Sequence, residues 1–428
     1  MPPLLRTFGR ILARHGVLLV TWYLAGEALH ELLVQIAGFV GGHTTLGGLL
    51  LLPLAVAARL VSYVAMYLTV RPSLPHILTP QRQGPREFGA AILPAILPFF
   101  AFYAAWGMLT ADQIEFFNIA SVIALNDSGF DLTQMRDRGG LVSVGVLPVA
   151  VLVIALVARF VFSRFRESLP SWTLILAAYA EVLWTFMLFT LVGQWWAGVV
   201  DWTASRTGAQ WLEGIGDWFA ANLVLVAGVW EAGTWAFGIL IAAVIVPAAW
   251  LLVAGVIYGT AFDGAVPRML RTAADSRGTT AILARTLTRR FEDLWAGVAV
   301  VWRGGPVLFG AYALAYCLWA LAERTGTRGL LQVIGGHESE FWKAFLPLIL
   351  VAVAAVAEPL RVAIVATAYD SVIGRPEAGL ESRAPGGHAV SRLHGEAEDG
   401  AILVGHVEPE RTGRVVGDDE DREDVVRR

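Results

Sequence analysis

Residues 23–35, YLAGEALHELLVQ, lie in the middle of the first long hydrophobic run and put Glu27, His30 and Glu31 where a membrane-spanning helix is apolar. On a helix Tyr23, Glu27, Glu31 and Gln35, spaced by four, form one stripe, with His30 one step from Glu31. Each charge at the centre of a bilayer adds roughly 2.5 to 3.5 kcal/mol to the insertion cost. The stripe therefore faces protein or water, and its neutralisation sets how the other helices assemble. A lone span cannot supply that environment; a bundle can.

The rest of the chain agrees. Of 428 residues 56% are hydrophobic and only 16% charged, with a mean hydropathy of +0.60, too apolar for an ordinary soluble protein of this size. Read by length, hydropathy and arginine placement, the sequence predicts an all-α, polytopic transmembrane bundle of about eight spans, at 17–40, 48–70, 90–109, 141–162, 174–192, 238–258, 306–322 and 345–368. Arg6, Arg10 and Arg14 before the first span, Arg71, Arg82 and Arg86 after the second, and Arg159, Arg164 and Arg166 after the fourth place those segments, and both termini, in the cytoplasm. The first span is too long for a signal peptide and holds two carboxylates, so it is read as uncleaved.

Between the spans, Ile114, Phe117 and Ile123 in an acidic external loop (110–140) suit a surface-lying helix. Trp195, Trp196, Trp202, Trp211 and Trp218 suit an external interfacial helix or pair of helices. Residues 222–237, with Glu231, are read as an interfacial or re-entrant piece, because two spans within 222–262 would put Arg268 to Arg290 outside. Leu283, Leu287, Phe291, Leu294 and Val298 make an amphipathic stripe suited to the inner leaflet. The membrane domain is drawn at 1–369 and a disordered acidic cytoplasmic tail at 370–428, since residues 371–428 carry 13 acids against 8 arginines. Lys343 stands alone beside 31 arginines, a bias of genomic composition that points to a bacterial cytoplasmic membrane.

The candidate site follows from depth. Glu27 and Arg59 both fall near the middle of their spans, and a tight 41–47 turn without Asp, Glu, Lys or Arg sets those spans side by side. Tyr23, Glu27, His30 and Glu31 on the first, with Arg59 and Tyr63 on the second, are the expected substrate or ion path. The carboxylates outnumber the arginine, so one acid takes a proton or sits beside a charged His30. A second group, Glu181, Glu358 and Arg361, is expected at one depth, with Arg361 bridging Glu358 or Glu181 beside Pro359; these charges read first as structural. The first group divides between a transport path and a satisfied structural network.

Other chemistry lacks residues to carry it. Glu27 and His30 make E-x-x-H, but the zinc-protease pattern fails at Val34 and no second span repeats it, so no metal site is predicted. A single cysteine, Cys317, excludes an intrachain disulfide and a cysteine-built metal site within one chain. His337, Glu338, Glu340, His43, Asp127 and Asp131 read as solvated loop residues. No nucleotide loop or serine-hydrolase elbow occurs, no cofactor is expected, and the arginines track a membrane face instead of forming a nucleic-acid patch. The leading expectation is a small-solute or ion transporter whose partner is the lipid bilayer, with a path between spans 1, 2, 5 and 8. A non-catalytic scaffold holding a protein through the tail or interfacial helices is the alternative, and a lipid-handling enzyme the third.

Overall fold

The structure, a computed structural model, describes residues 2–77, 85–131, 138–139, 146–165, 173–207, 211, 214, 218, 224–258 and 305–381. Among these, every regular element is helical: α1 (Pro2–His43), α2 (Thr45–Val70), a 3-10 turn (Arg71–Ser73), α3 (Pro85–Ala105), α4 (Met108–Asp127), α5 (Val146–Arg164), α6 (Thr173–Ala204), α7 (Val224–Tyr258), α8 (Pro306–Ile334) and α9 (Ser339–Glu381). Seven stretches are long and apolar enough to cross a membrane: Leu4–His43, Thr45–Ser73, Met108–Asp127, Ile175–Ala204, Glu231–Tyr258, Pro306–Ile334 and Ser339–Gly374. Ile92–Ala105 and Leu147–Phe162 are apolar but shorter. Residues 1–375 form one compact unit and 376–428 another; of the second, only the end of α9 is described.

The α1/α2 hairpin is the frame. Thr44 caps α2, its hydroxyl accepting from Gly47 N at 3.5 Å. Small residues let the two backbones approach: a Cβ on Gly26 would collide with Ser62, and one on Gly48 with the Ala37 carbonyl and the Gly41 Cα. Ser62 Oγ donates to Trp22 O at 2.7 Å, tying the helices at that crossing. Gly38, Gly41 and Gly42 then leave a groove on α1, filled by Ile119, Phe116 and Ile123 of α4.

These contacts overturn the reading of 110–140 as a surface-lying helix. α4 begins at mid-hairpin, where Asp112 meets Arg59 and His30, and ends at the hairpin turn, where Asp127 meets His43. α3 covers the other half, with Tyr103 against Arg59 and Phe99 against Tyr63. α3 on the α2 side and α4 on the α1 side thus lie end to end along the hairpin, broken at Trp106–Gly107, where Gly107 takes φ +74°. Glycine adopts that left-handed conformation without a Cβ penalty.

Four other boundaries move. α6 runs unbroken through Trp195, Trp196 and Trp202 to Ala204, in place of a separate interfacial helix there. Residues 224–237, Glu231 included, belong to the same continuous helix as 238–258. α8 continues past residue 322 to Ile334, shrinking the connection to α9 to residues 335–338, and α9 continues past 370 to Glu381. Propensity explains the extensions: Ala, Leu, Arg, Gln and Glu favour helix, and no proline intervenes between 322 and 334 or between 360 and 375. The amphipathic stripe of 283–298, residues 259–304 as a whole and the tail beyond 381 lie outside the described residues.

The two ends of the hairpin differ in charge. At the end away from the turn, His15 of α1 bonds Ser73, Arg71 donates to Tyr258 O of α7, and His76 pairs with Asp370 of α9. The N-terminal turns of α1, with Arg6, Arg10 and Arg14, lie beyond His15 at that end. At the turn end, Gly139 N donates to Gly41 O, and Asp127 pairs with His43.

Candidate functional site

Glu27 and Arg59 meet across the α1/α2 contact that Gly26 makes close. Arg59 donates from Nη2 to Oε1 at 2.7 Å and from Nε to Oε2 at 3.1 Å, a bidentate fork. Its third nitrogen, Nη1, donates to Tyr103 Oη at 2.6 Å, and that hydroxyl donates to Asp112 Oδ2 at 2.6 Å. Asp112, only 4% exposed, brings Oδ1 to 3.6 Å from Arg59 Nη1 and 3.4 Å from His30 Nε2.

His30 fixes where protons sit. It is buried, and its Nδ1 lies 2.9 Å from the Ala55 carbonyl, which can only accept, so Nδ1 carries a hydrogen. Nε2 faces the Asp112 carboxyl. With neither protonated, two lone pairs would oppose each other in a buried site; one proton on Nε2 or on the carboxyl removes the conflict. His30 thus links the Ala55 carbonyl of α2 to Asp112 of α4 behind the Glu27–Arg59 pair.

A second ion pair stands on α9, where Glu358 and Arg361, three residues apart, bond to each other. Arg361 also donates to Tyr63 Oη at 2.8 Å, and its guanidinium lies 3.8 Å from the Trp250 ring centre and 5.6 Å from that of Trp319. Trp319 is held by its own Nε1–H bond to Ala357 O at 2.9 Å. Aromatic faces and a fixed carboxylate together offset the desolvation of this buried cation.

Between the two pairs lies a cavity of about 170 Å³. Tyr23, Glu27, Arg59 and Tyr63 form its α1/α2 wall, while Phe99, Phe102, Tyr103 and Trp106 of α3 with Met108 of α4 form the second. Trp250 and Val253 of α7 and Glu358 of α9 close it. Trp106 lies parallel to Trp250, centres 6.3 Å apart and planes 8° apart. Trp106 and Met108, on either side of the α3–α4 break, thus line the cavity, while Gly107 between them is exposed.

Of the residues expected on a path, Tyr23, Glu27, Arg59 and Tyr63 line the cavity, and His30 stands behind them with Asp112. Glu31 does not join them. It is exposed, accepts from Gln35 Nε2 at 3.1 Å and hydrogen-bonds with Glu115 of α4. Arg361 bridges Glu358 and not Glu181, whose partner is Arg159 of α5 at 2.5 Å. The expected common depth fails because Tyr179, half a turn before Glu181, donates to Leu50 O in the half of α2 nearer the turn. Glu181 of α6 therefore lies apart from the cavity, whose lining comes from α1, α2, α3, α4, α7 and α9.

Asp112, Tyr103, Trp106 and Trp250 escaped the sequence reading. Asp112 looked like a loop acid because nothing local marks α3 as stopping at mid-depth; the signal was Trp106–Gly107, a glycine inside an otherwise apolar helical run. His337 is exposed and stacks on Phe341 with centres 4.2 Å apart, and Glu340 pairs with Lys343. Among the described residues no group of three or more His, Cys, Asp or Glu side chains is placed to hold a metal ion. Comparison with known proteins returned no matching family model, no matching curated protein and no matching solved structure.

Proposed function

We propose that this multi-pass membrane protein carries a small solute through the cavity between the Glu27–Arg59 and Glu358–Arg361 pairs. The observation that carries the reading is the break at Trp106–Gly107, which brings the end of α3 and the start of α4 to a cavity flanked by both ion pairs. Broken helices at membrane depth are tolerated where they line protein or a cavity, and transporters use them for binding sites. At about 170 Å³ the cavity exceeds the roughly 150 Å³ that accommodates benzene in an engineered cavity, so it takes a solute of about six to ten non-hydrogen atoms.

Arginine placement supports a topology with both ends of the bundle's chain path, α1 at His15 and α9 at Asp370, on the cytoplasmic side of a bacterial inner membrane, and the acidic turn end outside. The test is solute counterflow in proteoliposomes with a panel of small cations, anions and neutral compounds. Wild type is expected to exchange at least one class. Val253→Phe, which fills the cavity without touching either ion pair, is expected to slow that exchange at least tenfold while keeping a monodisperse elution profile. Absence of exchange in wild type for the whole panel contradicts the proposal.

A further inference from the structure

We infer that the cavity takes a small organic cation and releases one proton from the His30–Asp112 pair as it does so. This rests on the transport reading of the same cavity and names its substrate class and coupling. Two observations carry it: the composition of the wall and the charge count around it.

Seven of the twelve lining residues are aromatic, and their ring faces attract cations. The wall already demonstrates this with Trp250, which holds the Arg361 guanidinium at 3.8 Å on α9. The carboxyls in and immediately behind the cavity are those of Glu27, Asp112 and Glu358, against the guanidinium groups of Arg59 and Arg361. One positive charge is missing, and the proton shared by His30 and Asp112 supplies it.

The other titratable groups facing this assembly do not supply it. Tyr103 is neutral and spends its hydrogen on Asp112; Glu31 and Glu115 face each other at the α1/α4 rim, and Glu323 of α8 lies toward Glu358, all of them acids. A cation entering beside Glu27 and Glu358 provides the missing charge instead. Arg59, drawn from Glu27, shifts toward Asp112 Oδ1, already 3.6 Å from Nη1. The carboxylate is then paired without its proton, which passes to bulk water. Charge is conserved: one cation in, one proton out.

The experiment uses full-length protein in detergent, with choline and its uncharged isostere 3,3-dimethyl-1-butanol as probes. Binding is read by tryptophan fluorescence and proton release by a pH dye in weakly buffered solution. Choline is expected to bind at least tenfold tighter than the isostere, to release about one proton per molecule bound, and to weaken about tenfold per pH unit on the acid side. Asp112→Asn, close in shape, removes the carboxylate whose charge the proton balances, so it is expected to bind choline more weakly, without proton release and without the acid-side weakening; Asp112→Ser provides the same readout if that variant fails to fold. Equal binding of the two probes, choline binding without proton release, or undiminished release in the folded variants each overturns the inference. Because none of these readouts requires flux, choline binding with proton release in a protein that exchanges no solute would sink the transport reading and leave this one standing.

Discussion

Arg59 answers three groups at once: both oxygens of Glu27, the Tyr103 hydroxyl and, at longer range, Asp112. Removing it strands two carboxylates, whereas removing Glu27 leaves Arg59 with Asp112. Arg59→Gln is therefore expected to destabilise the protein by about 2 to 3 kcal/mol, below the usual loss for a fully buried pair because these side chains are 24% and 20% exposed. Glu27→Gln is expected to lose about half as much, and Arg59→Lys to fall between, since an ammonium cannot form the fork. Thermal unfolding in detergent orders the three; Glu27→Gln as the most damaging would show that Asp112 does not share the arginine. At this scale the Glu27–Arg59 pair was legible, because a tight turn makes depth countable from either side of residue 44. Asp112 was not, because depth counting assumes an unbroken helix.

The elements show what glycine does in this chain. At Gly48 a methyl group would meet backbone of α1, so Gly48→Ala is expected to wedge the hairpin at a cost of about 1 to 3 kcal/mol. Gly16 lies on the same helix pair with nothing within 4 Å of a built Cβ, and Gly16→Ala is expected to be neutral or to stabilise by up to about 1 kcal/mol. Melting temperatures moving the same way for both would contradict the packing described. At the α3–α4 break, Gly107→Ala imposes a left-handed penalty of about 1 to 2 kcal/mol. It also disturbs Trp106 against Trp250, so a loss of solute exchange larger than the stability change explains is expected. Helix class was legible throughout in the length and apolarity of the runs. Helix ends were not, since α6, α7 and α8 extend where no capping residue or proline marks a stop, and tryptophan density signals an interface without ending a helix.

Among the described residues, the Glu27–Arg59 and Glu358–Arg361 pairs flank one cavity, Arg159–Glu181 and His76–Asp370 lie apart from it, and α5 and α7 turn Val153, Ile154, Val157, Ile239, Leu240 and Ile245 outward. Such contiguous apolar surface on long helices suits lipid contact. The arginines of α1 beyond His15 and Arg71 at one end, with Asp127 at the other, give the bundle a direction. This direction, the helix break and the two ion pairs that flank one cavity are what the transport proposal rests on. The most direct measurement is choline exchange into proteoliposomes under an outward-directed proton gradient, in wild type and Asp112→Asn. Gradient-stimulated uptake in wild type, with gradient-independent exchange retained in the variant, is the result expected; wild-type vesicles that pass neither this cation nor any solute of the panel under any gradient would contradict the account.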